Sequence, residues 1–169
     1  MDQTEFEELF KEEHQSILQD TERLIRRIEN STSPDIEDEI DTLNDHLGPH
    51  FRYEEEALYP SLEDQYGRIY VKRLYDSHEG TIYTLRKLRE MVVNNSLNQS
   101  KALELIYGWL LPHVSDCEGL SIMVDQIPSV AIDEITRARE RANSENLDLL
   151  TWADRERGEP DFGTLTIYD

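Results

Sequence analysis

The sequence predicts an all-α fold, an antiparallel up-down four-helix bundle with an additional C-terminal helix and tail. Three observations carry that expectation. Only seven glycines and six prolines interrupt the 169 residues, so turn signals are few and widely spaced. The stretches between them are rich in Leu, Glu and Arg, which favour helix. Within each stretch, apolar residues recur at spacings of three and four, the period of a helix with one buried face.

The first helix is expected from about Thr4 to Glu29, on a stripe of Phe6, Leu9, Phe10, Ile17, Leu18, Leu24, Ile25 and Ile28. NSTSP ends it, and Ser33 as cap with Pro34 in the first turn opens a second helix reaching about Gln65. A bend is expected at Gly48 and Pro49, where proline lacks a backbone donor, and Gly67 marks the stop. The third helix reads from about Arg68 to Val93 on Val71, Leu74, Ile82, Leu85, Leu88 and Val92. After the loop NNSLNQS, a fourth runs from about Gln99 to Gln126, with a second bend at Pro112. Its Leu103, Ile106, Leu110, Leu120, Val124 and Ile127 make a heptad-like seam suited to a bundle. SVAIDEITRARERAN then reads as a shorter helix, and the ending FGTLTIYD alternates like a strand that needs a partner. Residues 1–127 are thus expected to form the bundle. Residues 128–169 form a C-terminal helix and tail that pack on it, on a second copy or on a protein partner.

Composition narrows the partners. The net charge of −20, from 37 acidic and 17 basic side chains, repels nucleic acid and anionic membranes, so neither is expected to bind. A lone cysteine, Cys117, excludes an intrachain disulfide framework and fits a reducing compartment. No apolar run approaches the ~20 residues of a membrane span, and the start MDQTEFEELFKEE is too acidic for a signal peptide. A soluble, cytoplasmic protein is expected.

All five histidines, His14, His46, His50, His78 and His113, lie on the apolar stripes of their helices. Height along the bundle is an independent check, because short turns bring together residues equally far from the turn. His14 lies about sixteen residues before the end of its helix and His50 about sixteen after the start of the next, roughly 24 Å each. His78 and His113 match in the same way, at about sixteen and fourteen residues. The turn between the second and third helices leaves an offset of ~8 Å. Glu54, four residues after His50, emerges on the same helical face, so one imidazole and one carboxylate are placed to hold a common ion. That donor pair suits iron, manganese or zinc. A metal-free bundle would have to bury the same imidazoles at about 1–3 kcal/mol for each unsatisfied nitrogen.

One histidine in the first helix, HFRYEEEALYP in the second, Ser-His-Glu in the third and LLPHVSDCEG in the fourth resemble the ligand stations of hemerythrin-like, or HHE cation-binding, domains. The resemblance spans about residues 4–127. It implies a four-helix bundle with a carboxylate-bridged di-iron site, with His14, His50, Glu54, His78 and His113 as ligands and Glu54 as one bridge. Ile82 stands where many relatives carry a second histidine in the third helix, and His46, one turn before His50, is the candidate replacement or a hydrogen-bonding neighbour. In the fourth helix Cys117 stands where many relatives carry the second carboxylate. Glu118 matches a longer spacing but lies about 140° from His113 on a straight helix, and Asp116 is a further candidate. Cys117 reads as a small buried residue, a thiolate ligand or a redox-active thiol.

The function implied is reversible binding or sensing of a small diatomic ligand, dioxygen or nitric oxide, at a non-haem and most simply di-iron centre. Two alternatives remain from the same residues. One is an iron-dependent enzyme reducing peroxide or nitric oxide, and the other a metal-occupancy sensor acting through a protein partner.

Overall fold

Helix α1 spans Gln3–Asn30 and buries Phe6, Phe10, Ile17, Leu24, Ile25 and Ile28, the stripe its spacing predicts. Helix α2 (Ser33–Tyr53) packs along it. These are the first two rods of a computed structural model that describes residues 1–30, 33–115 and 127–158, with no strand among the described residues. The bundle is all-α, as expected.

Helix α2 runs unbroken through Gly48 and Pro49. The second rod's irregularity comes later, as a π-helical turn over Glu54–Leu58 that leads into α3 (Tyr59–Tyr66). The fourth rod repeats the device: α5 (Gln99–Leu105), a π turn over Ile106–Leu110, then helix again over residues 111–115. Each π turn ends two residues before a proline, Pro60 or Pro112. A proline ring clashes with the carbonyl four residues back and offers it no donor, and widening the turn relieves the clash. The carbonyl of Glu55, which in the widened register faces the missing donor of Pro60, accepts instead from the Tyr75 hydroxyl (3.2 Å). More residues per turn also mean less length per residue, so the turn shortens the second rod and takes up part of the offset at the second joint.

Gly67, with φ of +80°, reverses the chain in one residue between α3 and α4 (Arg68–Val93). Two C-terminal helices follow, α6 (Ser129–Glu145) and α7 (Leu149–Arg157), and both pack on α2. The link between them crosses α2 at Gly48, where a Cβ would lie 2.1 Å from the Leu147 carbonyl oxygen. Glycine is required there for the close approach of two backbones. Helix α7 was not anticipated from the sequence, which read this stretch as tail. Leu149, Leu150, Trp152 and Ala153 join the core made by the end of α1, the start of α2 and the end of α4. A second core, at the other end, gathers Phe6, Phe10, Tyr53, Tyr59, Val71 and Leu74 with Ala131, Ile132, Ile135 and Ala138 of α6. The expected strand at the end of the tail and the last part of the fourth helix lie outside the described residues.

Candidate metal centre

Between the two apolar cores the rods turn polar side chains inward. His14 of α1, His50 of α2, Glu54 of the π turn, His78 of α4 and His113 of the fourth rod are all buried, at 0–3 % exposure. They form two overlapping sets, His14 with His50 and His113, and Glu54 with His78 and His113. Within each set the ligating atoms lie within 4.8 Å of one another.

The outer nitrogen of three of the rings is committed elsewhere. His14 Nδ1 sits 2.7 Å from the Phe10 carbonyl, which can only accept, so that nitrogen carries the proton. His50 Nδ1 faces Glu13 Oε2 at 3.0 Å and His78 Nδ1 faces Glu55 Oε1 at 2.8 Å. In their neutral forms all three rings therefore aim Nε2 lone pairs at the interior. His14 and His50 Nε2 stand 3.2 Å apart, and His78 Nε2 lies 3.0 Å from Glu54 Oε2. Acceptors that close repel unless a cation lies among them. Ligands about 2.1 Å from one ion stand roughly 3.0–3.4 Å from each other, so the spacing is that of a coordination shell. Glu54 Oε1, buried, makes no hydrogen bond, though it is 3.3 Å from His50 Nε2. The donor set fits a metal ion.

Electrostatics point the same way. Burial alone would strip His50 of its proton, but Glu54 and Glu13 outweigh it and raise its pKa to about 10. Burial and the neighbouring His50 lower His14 to about 4. Glu54 is held well below the carboxylate range, its burial overcome by His50 and His78. Burial, then His78, depresses His113. His50 thus keeps a positive charge among converging acceptors, and a metal taking that place would release the proton.

Aromatic rings wall the site. Phe51 stacks on His78 at 3.6 Å between centroids and 8° between planes, and contacts His113 at 4.6 Å. Phe10 lies 4.2 Å from His14. A pocket of about 270 Å³ opens outside His50, lined by Glu13, His46, Pro49, Tyr53 and Asn143, on the Nδ1 side of the ring.

The hemerythrin HHE cation binding domain matches residues 6–120 of this chain. The chain belongs to that family. No curated protein and no solved structure matches it.

Of the residues picked from this hemerythrin-like sequence, the structure brings together His14, His50, Glu54, His78 and His113. It turns His46 outward. That side chain is half exposed, and its Nδ1 meets Asp20 Oδ2 at 2.5 Å, so it neither joins the cluster nor replaces the imidazole absent at Ile82. Asp116, Cys117 and Glu118 lie outside the described residues. Sequence reasoning missed Glu13 and Glu55, which orient His50 and His78. Each is itself held by an arginine of the C-terminal helices. Arg139 of α6 reaches Glu13 Oε1 at 2.7 and 2.8 Å, and Arg157 of α7 grips both oxygens of Glu55 at 2.7 and 2.9 Å. With Arg139 and His50 beside it, Glu13 overcomes its burial and has its pKa lowered to about 2. The only signal in the sequence was position: both glutamates directly neighbour a residue of the cluster, His14 or Glu54.

Proposed function

We propose that this hemerythrin-like bundle holds two iron ions bridged by Glu54 and uses them to bind or sense dioxygen or nitric oxide. The observation that carries the reading is the way Glu54 divides its oxygens. Oε1 faces His50 at 3.3 Å and His14 at 3.7 Å, whereas Oε2 faces His78 at 3.0 Å. One carboxylate serving two imidazole groups is the arrangement a bridge requires, with His14 and His50 at one station and His78 at the other. His113 stands between them. Iron held there would offer an electron-rich centre to which a diatomic ligand can bind and from which it can draw charge. Phe10, Phe51, Tyr53 and Tyr59, all buried around the cluster, shield it from bulk water.

The sensing form of this reading is favoured over simple carriage by the two arginine relays. Arg139–Glu13–His50 and Arg157–Glu55–His78 join each station to a separate C-terminal helix, so a shift of either ring on ligand binding would be felt by α6 or α7. Elemental analysis of protein purified without added metal, with visible spectra of the reduced protein before and after each gas, tests the proposal. Two irons per chain and a reversible band are expected, with Glu54→Ala retaining one iron or none. One zinc per chain, or reduced iron indifferent to both gases, would overturn it.

A further inference from the structure

Beside His78 and Glu54 stands a third potential ligand of different chemistry. Tyr59 is wholly buried, and its hydroxyl lies 2.7 Å from His78 Nε2 and 3.1 Å from Glu54 Oε2, which are themselves 3.0 Å apart. The three atoms form a nearly equilateral triangle. With the outer nitrogen of His78 committed to Glu55, the phenol proton is the one hydrogen available to all three contacts while His78 is neutral. The edges of that triangle are those of one face of a coordination shell with ligands at about 2.0–2.2 Å.

The backbone supplies a second, independent observation. On a regular α-helix the residue five positions on is rotated by about 140°, so Tyr59 would point away from Glu54. Here the Tyr59 amide donates to the Glu54 carbonyl, closing a turn of five residues, and the widened turn brings both side chains to one face. Such single-turn π segments occur frequently at functional sites. Tyr59 is further fixed by Tyr75, edge-on at 5.2 Å.

We infer that Tyr59 is a metal ligand at the His78 station, binding through its phenolate oxygen and favouring a hard, oxygen-seeking trivalent ion, ferric iron, over zinc. This rests on the metal-centre reading. On ligation the O–H bond breaks, an oxygen–iron bond forms, and the proton leaves to water with no change in oxidation state. The phenolate takes the place that a further imidazole would otherwise fill and adds a negative charge to the station.

The test is ferric loading of the full chain, read by visible absorption, by resonance Raman scattering and by iron per chain. The expected result is a phenolate-to-iron charge-transfer band with enhanced tyrosinate ring vibrations, which shift when ring-deuterated tyrosine is incorporated. Tyr59→Phe should lose the band and release iron to a chelator at least about tenfold faster, while the exposed Tyr107→Phe keeps both. Tyr59→His, which restores a donor, should recover iron retention without the band. Iron bound by the wild type with no tyrosinate vibrations, or a band that survives Tyr59→Phe, would refute Tyr59 as a ligand and leave the metal centre standing. A wild-type chain that takes up no iron would instead sink the metal-centre reading itself. Raman on the wild type decides the matter even where Tyr59→Phe does not fold.

Discussion

An imidazole has two nitrogens, and in this molecule what the outer one touches decides what the inner one can do. Glu13 is the clearest case, since it accepts from His50 and from the Tyr53 hydroxyl (2.7 Å) and so holds one ring in one orientation. Glu13→Ala should leave the fold intact but weaken metal retention by about 10–100-fold, measured by competition with a chelator. The four buried histidines were legible from sequence, because a helical stripe and a matching height are both local counts along the chain. His46 lies on the apolar stripe of its helix as well and still faces outward, because Asp20 on the neighbouring helix offers it a carboxylate at 2.5 Å. Periodicity says which face a residue occupies, but not which partner across the groove wins its side chain. Glu13 and Glu55 escaped notice for the complementary reason: a glutamate at the edge of a stripe reads as solvated until a second rod brings an imidazole within reach.

At the scale of elements, α7 is a nine-residue helix held at its start and along its face. Asp148 caps it, accepting from the Thr151 amide (3.0 Å) and hydroxyl (2.6 Å) and from Asn44 Nδ2 (2.7 Å), while Asn44 Oδ1 accepts from the Leu150 amide (3.0 Å). These bonds outweigh the cost of burial and lower the pKa of Asp148 below its ordinary value of 3.8. A depressed carboxyl stabilises the fold above its unfolded pKa and ceases to do so as pH falls through the folded one. Asp148→Ala should therefore cost about 1 kcal/mol at neutral pH, and the difference from wild type should shrink below about pH 4. Urea unfolding of both proteins at several pH values checks this. The arginines of α6 and α7 belong to the same scale. Arg139→Met should loosen the His50 station and Arg157→Met the His78 station, each releasing iron about tenfold faster, with the double variant showing both losses. Equal, unchanged release in both would mean that the C-terminal helices are packing elements alone. The existence and limits of α1 and α4 were readable from their long stripes. A short helix such as α7 offers only two turns of pattern, and its apolar residues make sense only against the core they complete.

For the whole molecule, the metal and the fold should be linked. Four rods each bury one or more of the clustered imidazoles and the Glu54 carboxylate between two apolar cores, and without a metal only the His50 proton and the Tyr59 hydroxyl separate these converging acceptors. Removal of metal by a chelator should lower the melting temperature, and restoring ferrous iron should recover it in a concentration-dependent way, as expected when an ion binds only the folded chain. Calorimetry of the metal-free and reloaded protein measures the shift, and identical melting temperatures would show that the cluster is stable unaided. The net charge of −20 adds a separate term, since added salt should stabilise the chain by screening acidic self-repulsion.

Sequence alone determined the helical class, the order of the long rods and the candidate imidazoles, because these follow from a 3.6-residue period and from distances counted along one chain. Tertiary structure decided the rest: the outward turn of His46, the relays through Glu13 and Glu55, the docking of α7, and the widened turn that carries Tyr59 to Glu54. Each of those depends on which atoms of separate rods come within about 3 Å, a quantity set by packing across grooves and by the turn widened ahead of Pro60.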